Sequence, residues 1–198
     1  MDRRQFVVSA SASALAALTW FRGPGRLYSL ALGTTLDPGT QEAALGITRA
    51  ILPFEHPQFP GISPAIVRSR MYALFSLEGD ASFASTLALF NALEAWSNPP
   101  KTILDIETAM YGPPDLAHDR QLFEMWNGAA TSETPTFAAL DLVRQRSYLS
   151  LWPLSAFGVR RRTYQSFKAL VNATAYSMDA LWSAIGYDGP LVARETAL

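Results

Sequence analysis

The sequence predicts an all-α protein, an irregular, bundle-like array of about six to eight helices behind an N-terminal signal segment. Three observations carry this. Apolar residues recur at helical spacing along most of the chain, capping residues and prolines punctuate them at helix-sized intervals, and the alternation of a half-buried strand is missing.

The first element is not part of the bundle. Arg3-Arg4-Gln5-Phe6 stands directly before an uncharged run of Val, Ala, Ser and Leu over residues 7–18, the layout of a twin-arginine export signal. Phe6 two places after the pair, and the softening of the run by Ser9, Ser11 and Ser13, favour that route over general secretion. Asp2 and Val7-Val8 depart from its usual flanks. The run to Phe21 is shorter than the ~20 residues needed to span a bilayer. Residues 1–30 therefore read as signal and linker, with Gly23-Pro24-Gly25 as the break, and residues 31–198 as a single helical domain large enough for a real core.

Within that domain, Asp37-Pro38-Gly39-Thr40 opens a helix over 41–52 with Ala44, Ile47 and Ile51 on one face, and Pro53 stops it. Three prolines make 53–62 an extended loop. Ser63-Pro64, a cap followed by a first-turn proline, starts a helix to Leu77. Asp80 caps a strongly apolar helix to Trp96, whose Phe83, Leu87, Phe90 and Leu93 should form the centre of the core. Thr102 with Asp105 gives a capping-box pattern for a short helix ending near Gly112-Pro113-Pro114. Another helix spans 115–127. Thr134-Pro135 should open a longer one through Phe137, Leu140, Val143 and Leu151, broken at Trp152-Pro153. The last long helix is expected over 155–176 with Tyr164, Phe167, Val171 and Thr174 inward, followed by a turn at 180–184 and a tight Gly186-Tyr187-Asp188-Gly189-Pro190 turn.

Composition narrows the chemistry. An apolar fraction of 49% against 17% charged residues suits a folded globular domain rather than a disordered one. The absence of cysteine excludes a disulfide framework, a thiolate metal site and a covalently attached haem. Residues 78–141 carry ten acidic side chains against Lys101 and Arg120, whereas 142–178 hold six basic side chains and no acid. Such opposed fields either pair internally or orient a docking partner. Nucleic acid is not an expected partner, since no basic stripe is interleaved with aromatics.

Catalytic signatures are weak. Gly23-Pro24-Gly25 lacks the third glycine and the preceding strand of a dinucleotide turn. Gly61-Ile62-Ser63 lacks the second glycine of a hydrolase elbow, so Ser63 reads as a helix cap. The two histidines, His56 and His118, are too few for a metal site without a convergent acid cluster, and His118 near Asp115 and Asp119 suits a helix start better. Asp105 and Glu107 read as a helix N-terminus rather than a catalytic pair. No catalytic, cofactor-binding or metal residue is assigned.

The concentrated feature is Arg160-Arg161-Arg162. Three consecutive arginines cover nearly the whole helix circumference, so at least one should meet other protein, either the acidic middle segment or a second chain. Trp96, Trp126, Trp152 and Trp182 add weight to an interface, although most should be core.

The segment from Arg146 to Trp152, the run Arg160-Arg161-Arg162-Thr163-Tyr164-Gln165-Ser166-Phe167-Lys168-Ala169-Leu170, then Ala175-Tyr176, Trp182 and the 185–190 turn resemble the gluconate 2-dehydrogenase subunit 3 family. Ile51-Leu52-Pro53 is similar to that family as well. The resemblance implies an all-helical small subunit without catalytic or cofactor residues of its own. It would serve an FAD-dependent large subunit of the glucose-methanol-choline (GMC) type, which often passes electrons to a c-type multihaem cytochrome. Members commonly carry the twin-arginine signal for a large subunit that has none. The expectation is thus a non-catalytic accessory subunit of a sugar, sugar-acid or alcohol dehydrogenase, acting in maturation and export. It would be periplasmic, held at the membrane only by its complex or by an uncleaved signal. Arg3, Arg4 and Phe6 would be read by the twin-arginine translocase; Arg160, Arg161, Arg162, Lys168, Trp182 and Tyr187 are the candidate docking residues. A free-standing exported helical binding protein is the alternative.

Overall fold

The computed structural model describes residues 38–57, 59, 61–75, 77, 80–93, 99, 101–124, 126 and 136–182. Among these, 76% are helical and none lies in a strand, so the protein is an all-α helical bundle. The described residues form eight α-helices: α1 (Pro38–Ile51), α2 (Pro64–Phe75), α3 (Ala81–Asn91), α4 (Lys101–Tyr111), α5 (Leu116–Leu122), α6 (Leu142–Leu151), α7 (Gly158–Tyr176) and α8 (Asp179–Trp182). Two 3₁₀ turns, Phe137–Ala139 and Trp152–Leu154, lead into and out of α6. No helix among the described residues is long and apolar enough to cross a membrane. The signal segment and the 186–190 turn lie outside the described residues.

Caps fix most of the boundaries. Asp80 accepts from the backbone N–H of Ser82 and Phe83 at 2.9 Å each, as its position before an apolar run predicts. Ser63 does the same for Ile66 at 3.3 Å. Gly112, at φ 89°, ends α4 in the left-handed conformation that an L side chain resists. Thr102 does not stand at the cap position that the predicted capping box requires. α4 begins at Lys101, which puts Thr102 inside the first turn, and Asp105 instead pairs with Lys101 Nζ at 2.6 Å.

The long helix expected from Thr134 onward is split. Phe137–Ala139 is a 3₁₀ turn, and Asp141 then caps a new helix by accepting from Arg144 N at 2.8 Å. Restarting the helix resets its phase. Val143, one of the apolar positions along the expected longer helix, is 78% exposed as a result.

Two helices organise the packing. α1 lies against α2, α3, α6 and α7, and α7 lies against α1, α2, α4 and the second 3₁₀ turn. Small residues let α1 sit at the centre: Ala43, Ala44 and Gly46 are buried, and a Cβ at Gly46 would come within 2.7 Å of Gln145 Nε2. Its C-terminal end is closed by Arg146 of α6. That guanidinium donates to the carbonyls of Arg49, Ala50 and Leu52 and pairs with Glu55, satisfying acceptors that a helix end leaves open.

The core is aromatic. Phe90 of α3 has Phe137 at 4.8 Å, Trp152 at 4.2 Å and Phe167 at 5.4 Å between ring centroids. These rings join both 3₁₀ turns and α7 to the one helix the sequence marks as most apolar. Edge-to-face and offset geometries of this kind add to the area they bury.

Candidate functional site

The export-signal residues Arg3, Arg4 and Phe6 and the docking candidate Tyr187 lie outside the described residues. Arg160 is fully buried. Arg161, Arg162 and Lys168 follow the outer side of α7, half-exposed in the first case and exposed in the other two.

Arg160 is paired within the fold. One guanidinium nitrogen, Nη1, donates to Asp119 Oδ2 at 2.9 Å, and both side chains are almost wholly withdrawn from solvent. The guanidinium carbon sits 4.1 Å from the centroid of Phe123, with Trp152 and Phe157 at 5.5 and 5.9 Å. Burial pulls the Arg160 pKa down, opposed by the neighbouring Tyr148 and Asp119. Of the two destinies the sequence allows for the arginine run, Arg160 takes internal pairing with the acidic middle segment. As a docking residue it is therefore corrected: its charge does not reach the surface.

Asp119 serves two further donors. Its Oδ1 accepts from Ser155 Oγ at 2.6 Å and from Ala156 N at 2.8 Å, so a single carboxylate of α5 ties down the loop that leads into α7. The loop has a second anchor. Glu107, buried on α4, accepts from the backbone N–H groups of Gly158 and Val159. Phe157 stands at the N-cap of α7 and offers no side-chain cap, and Glu107 supplies the carboxylate from another helix. Glu107 was expected at its own helix start; instead it sits in the second half of α4 and caps α7.

The remaining candidates have ordinary positions. Trp182 is half-buried and donates through Nε1 to Tyr176 O at 2.9 Å. Trp126 and Trp152 are core residues, and Trp96 lies outside the described residues. Asp115 caps α5 through His118 N at 2.9 Å, while the His118 ring nitrogen Nε2 lies 3.2 Å from Leu154 O. His56 is exposed. Among the described residues no group of His, Asp or Glu could hold a metal ion.

A cavity of about 10 Å³ adjoins the buried pair between Asp119, Phe123, Trp126 and Tyr148. It has room for about one water, against the ~300–1,000 Å³ of an ordinary ligand pocket. The buried charges thus act on structure: they orient the entry to α7 and leave its outer stripe, Arg161, Arg162, Gln165 and Lys168, to face solvent.

Two further residues border this stripe that sequence reading had not singled out. Tyr111 is 42% and Leu154 60% exposed, large side chains on the surface beside the start of α7. Only their proline-rich settings, Gly112-Pro113-Pro114 and Trp152-Pro153, signal an outward turn. No protein-family model matches this chain, and no curated protein or solved structure does.

Proposed function

We propose that this protein is a non-catalytic small accessory subunit that binds a folded FAD-dependent dehydrogenase of the GMC type, assists its maturation and carries it through the twin-arginine route to the periplasm. The observation that carries the reading is the pairing of Arg3-Arg4-Gln5-Phe6 and its weakly apolar run with a domain whose C-terminal motifs resemble the small-subunit family. A route for proteins already folded suits a chain that boards with a loaded partner. The basic outer stripe of α7 supports the reading further, because it is a charged surface without acids of its own helix to answer it. Substrate choice, among sugars, sugar acids and alcohols, belongs to the flavin subunit, and so does any transfer to a c-type cytochrome.

The test is export. Replacing Arg3 and Arg4 by Lys is expected to leave both this chain and its flavoprotein in the cytoplasm, read by fractionation and by flavin content of the periplasm. Normal export of the flavoprotein in that strain overturns the escort role.

A further inference from the structure

The start of α7 presents a built surface that carries exposed positive charge. Arg161 is held by donating through Nη1 to Ser155 O, one residue beyond the exposed Leu154. The Tyr111 ring lies against Gly158, where any Cβ would overlap it. Both guanidinium groups, of Arg161 and Arg162, lie near enough to Tyr111 to act on its hydroxyl. Lys168, seven residues beyond Arg161, continues the same side of the helix about 10 Å further on.

Three acids of α4 and the α5 segment are engaged elsewhere. Glu107 accepts from the N–H groups of Gly158 and Val159, Asp119 pairs with Arg160, and Asp115 caps α5. α7 contains no Asp or Glu. Among the described residues, neither Arg162 nor Lys168 has a carboxylate partner. The result is a positive stripe with a Tyr and a Leu at one end, the composition in which interface anchors are found: aromatic and Arg side chains whose positions are fixed before binding.

We infer that the Tyr111–Leu154 end of α7, with Arg161, Arg162 and Lys168, docks a protein partner whose facing surface carries carboxylates around a shallow apolar recess. The inference rests on the accessory-subunit reading and deepens it by assigning the surface and the chemistry of its complement. Tyr111 and Leu154 fill the recess, and the three cations set register and speed encounter.

Photo-crosslinking in the cells that make the protein tests this. A benzoylphenylalanine is placed in the full chain at position 111, 154 or, as a distant control, at the exposed Ile66 of α2. Positions 111 and 154 are expected to trap the same protein through a peptide rich in Asp and Glu, and position 66 is not. The double reversal R162E/K168E, at two exposed side chains, should cut the yield roughly tenfold with an unchanged melting temperature. Raising salt from about 0.1 M to about 0.5 M should also lower it. No adduct at 111 and 154, or adducts indifferent to charge reversal and salt, overturns the docking surface. A flavoprotein trapped only from position 66 overturns the surface and leaves the accessory role standing. A flavin-free protein trapped at 111 and 154 with the expected charge dependence keeps the surface and overturns the accessory role.

Discussion

Arg160 Nη1 donates to Asp119 Oδ2 at 2.9 Å across 41 residues of chain, and the two side chains are 1% and 4% exposed. Two ions this deep hold each other in place, since either alone would be a bare charge in a weakly polarisable interior. Asp119 also binds Ser155 and Ala156, so the pair fastens the loop before α7 to α5. Asp119→Ala is expected to cost about 3–5 kcal/mol in urea unfolding. The double change D119N/R160M should recover much of that loss, because an asparagine keeps an acceptor for Ser155 and Ala156 while the unpaired cation is gone. A double variant no more stable than the alanine variant would show that the charges themselves are needed.

Glu107 places a comparable demand on α4. Its two oxygens answer the first backbone N–H groups of α7. Glu107→Gln keeps one acceptor and loses the charge that favours a helix N-terminus, so a loss of about 1.5–3 kcal/mol is expected. Glu107→Ala leaves both donors open in a buried place and should cost more. Hydrogen exchange at Gly158 and Val159 reads the effect locally, with faster exchange there than at the centre of α7.

How far such features can be read without coordinates depends on phase and on sequence distance. Tyr164, Phe167, Val171 and Thr174 define the inner face of α7 from periodicity alone, and Arg160 lies on that face, one turn before Tyr164. Its burial was therefore legible in principle. Its partner was not, because nothing in the spacing of Asp115, Asp119 and Glu124 distinguishes a buried acid from a solvated one. Val143 went astray for a local reason. Asp141 stops one helix and caps the next, and a pattern read straight through it assigns the wrong face. The core of α3 was plain, since Phe83, Leu87 and Phe90 repeat at helical spacing and are buried; Leu93 is buried too, but just past the helix, which ends at Asn91 and not at the predicted Trp96. The apolar end of the docking surface was not, because an exposed Tyr or Leu carries no sequence signature of its own.

Gly158 and Tyr111 give a test of close packing at that surface. A Cβ at 158 meets three atoms of the Tyr111 ring, and the backbone of α7 cannot retreat without losing Glu107. Gly158→Ala is expected to cost about 1–3 kcal/mol, the usual range for overpacking. Adding Tyr111→Ser should restore most of the loss, since the obstructing ring is gone. A double-mutant cycle measures the coupling. Additive losses would mean that the ring swings aside and the contact carries no strain.

Tyr148 ties the buried centre to alkaline pH. Burial pushes its hydroxyl pKa above the ordinary value of 10.0, and the Asp119 carboxylate acts in the same direction against the opposing pull of Arg160 and Trp152. The unfolded chain releases this proton first as pH rises, so the native state binds more protons than the unfolded state above pH 10. Stability is accordingly intact below that value and declines as pH climbs through the interval up to the raised native pKa. Tyr148→Phe removes the group and should flatten this part of the alkaline limb, while losing about 1 kcal/mol at neutral pH for the hydroxyl contacts given up. Urea unfolding at neutral pH and again above pH 10 separates the two effects. An alkaline limb equally steep in the phenylalanine variant would assign the loss to other tyrosines, Tyr72 and Tyr111 first, whose hydroxyls burial also pushes up.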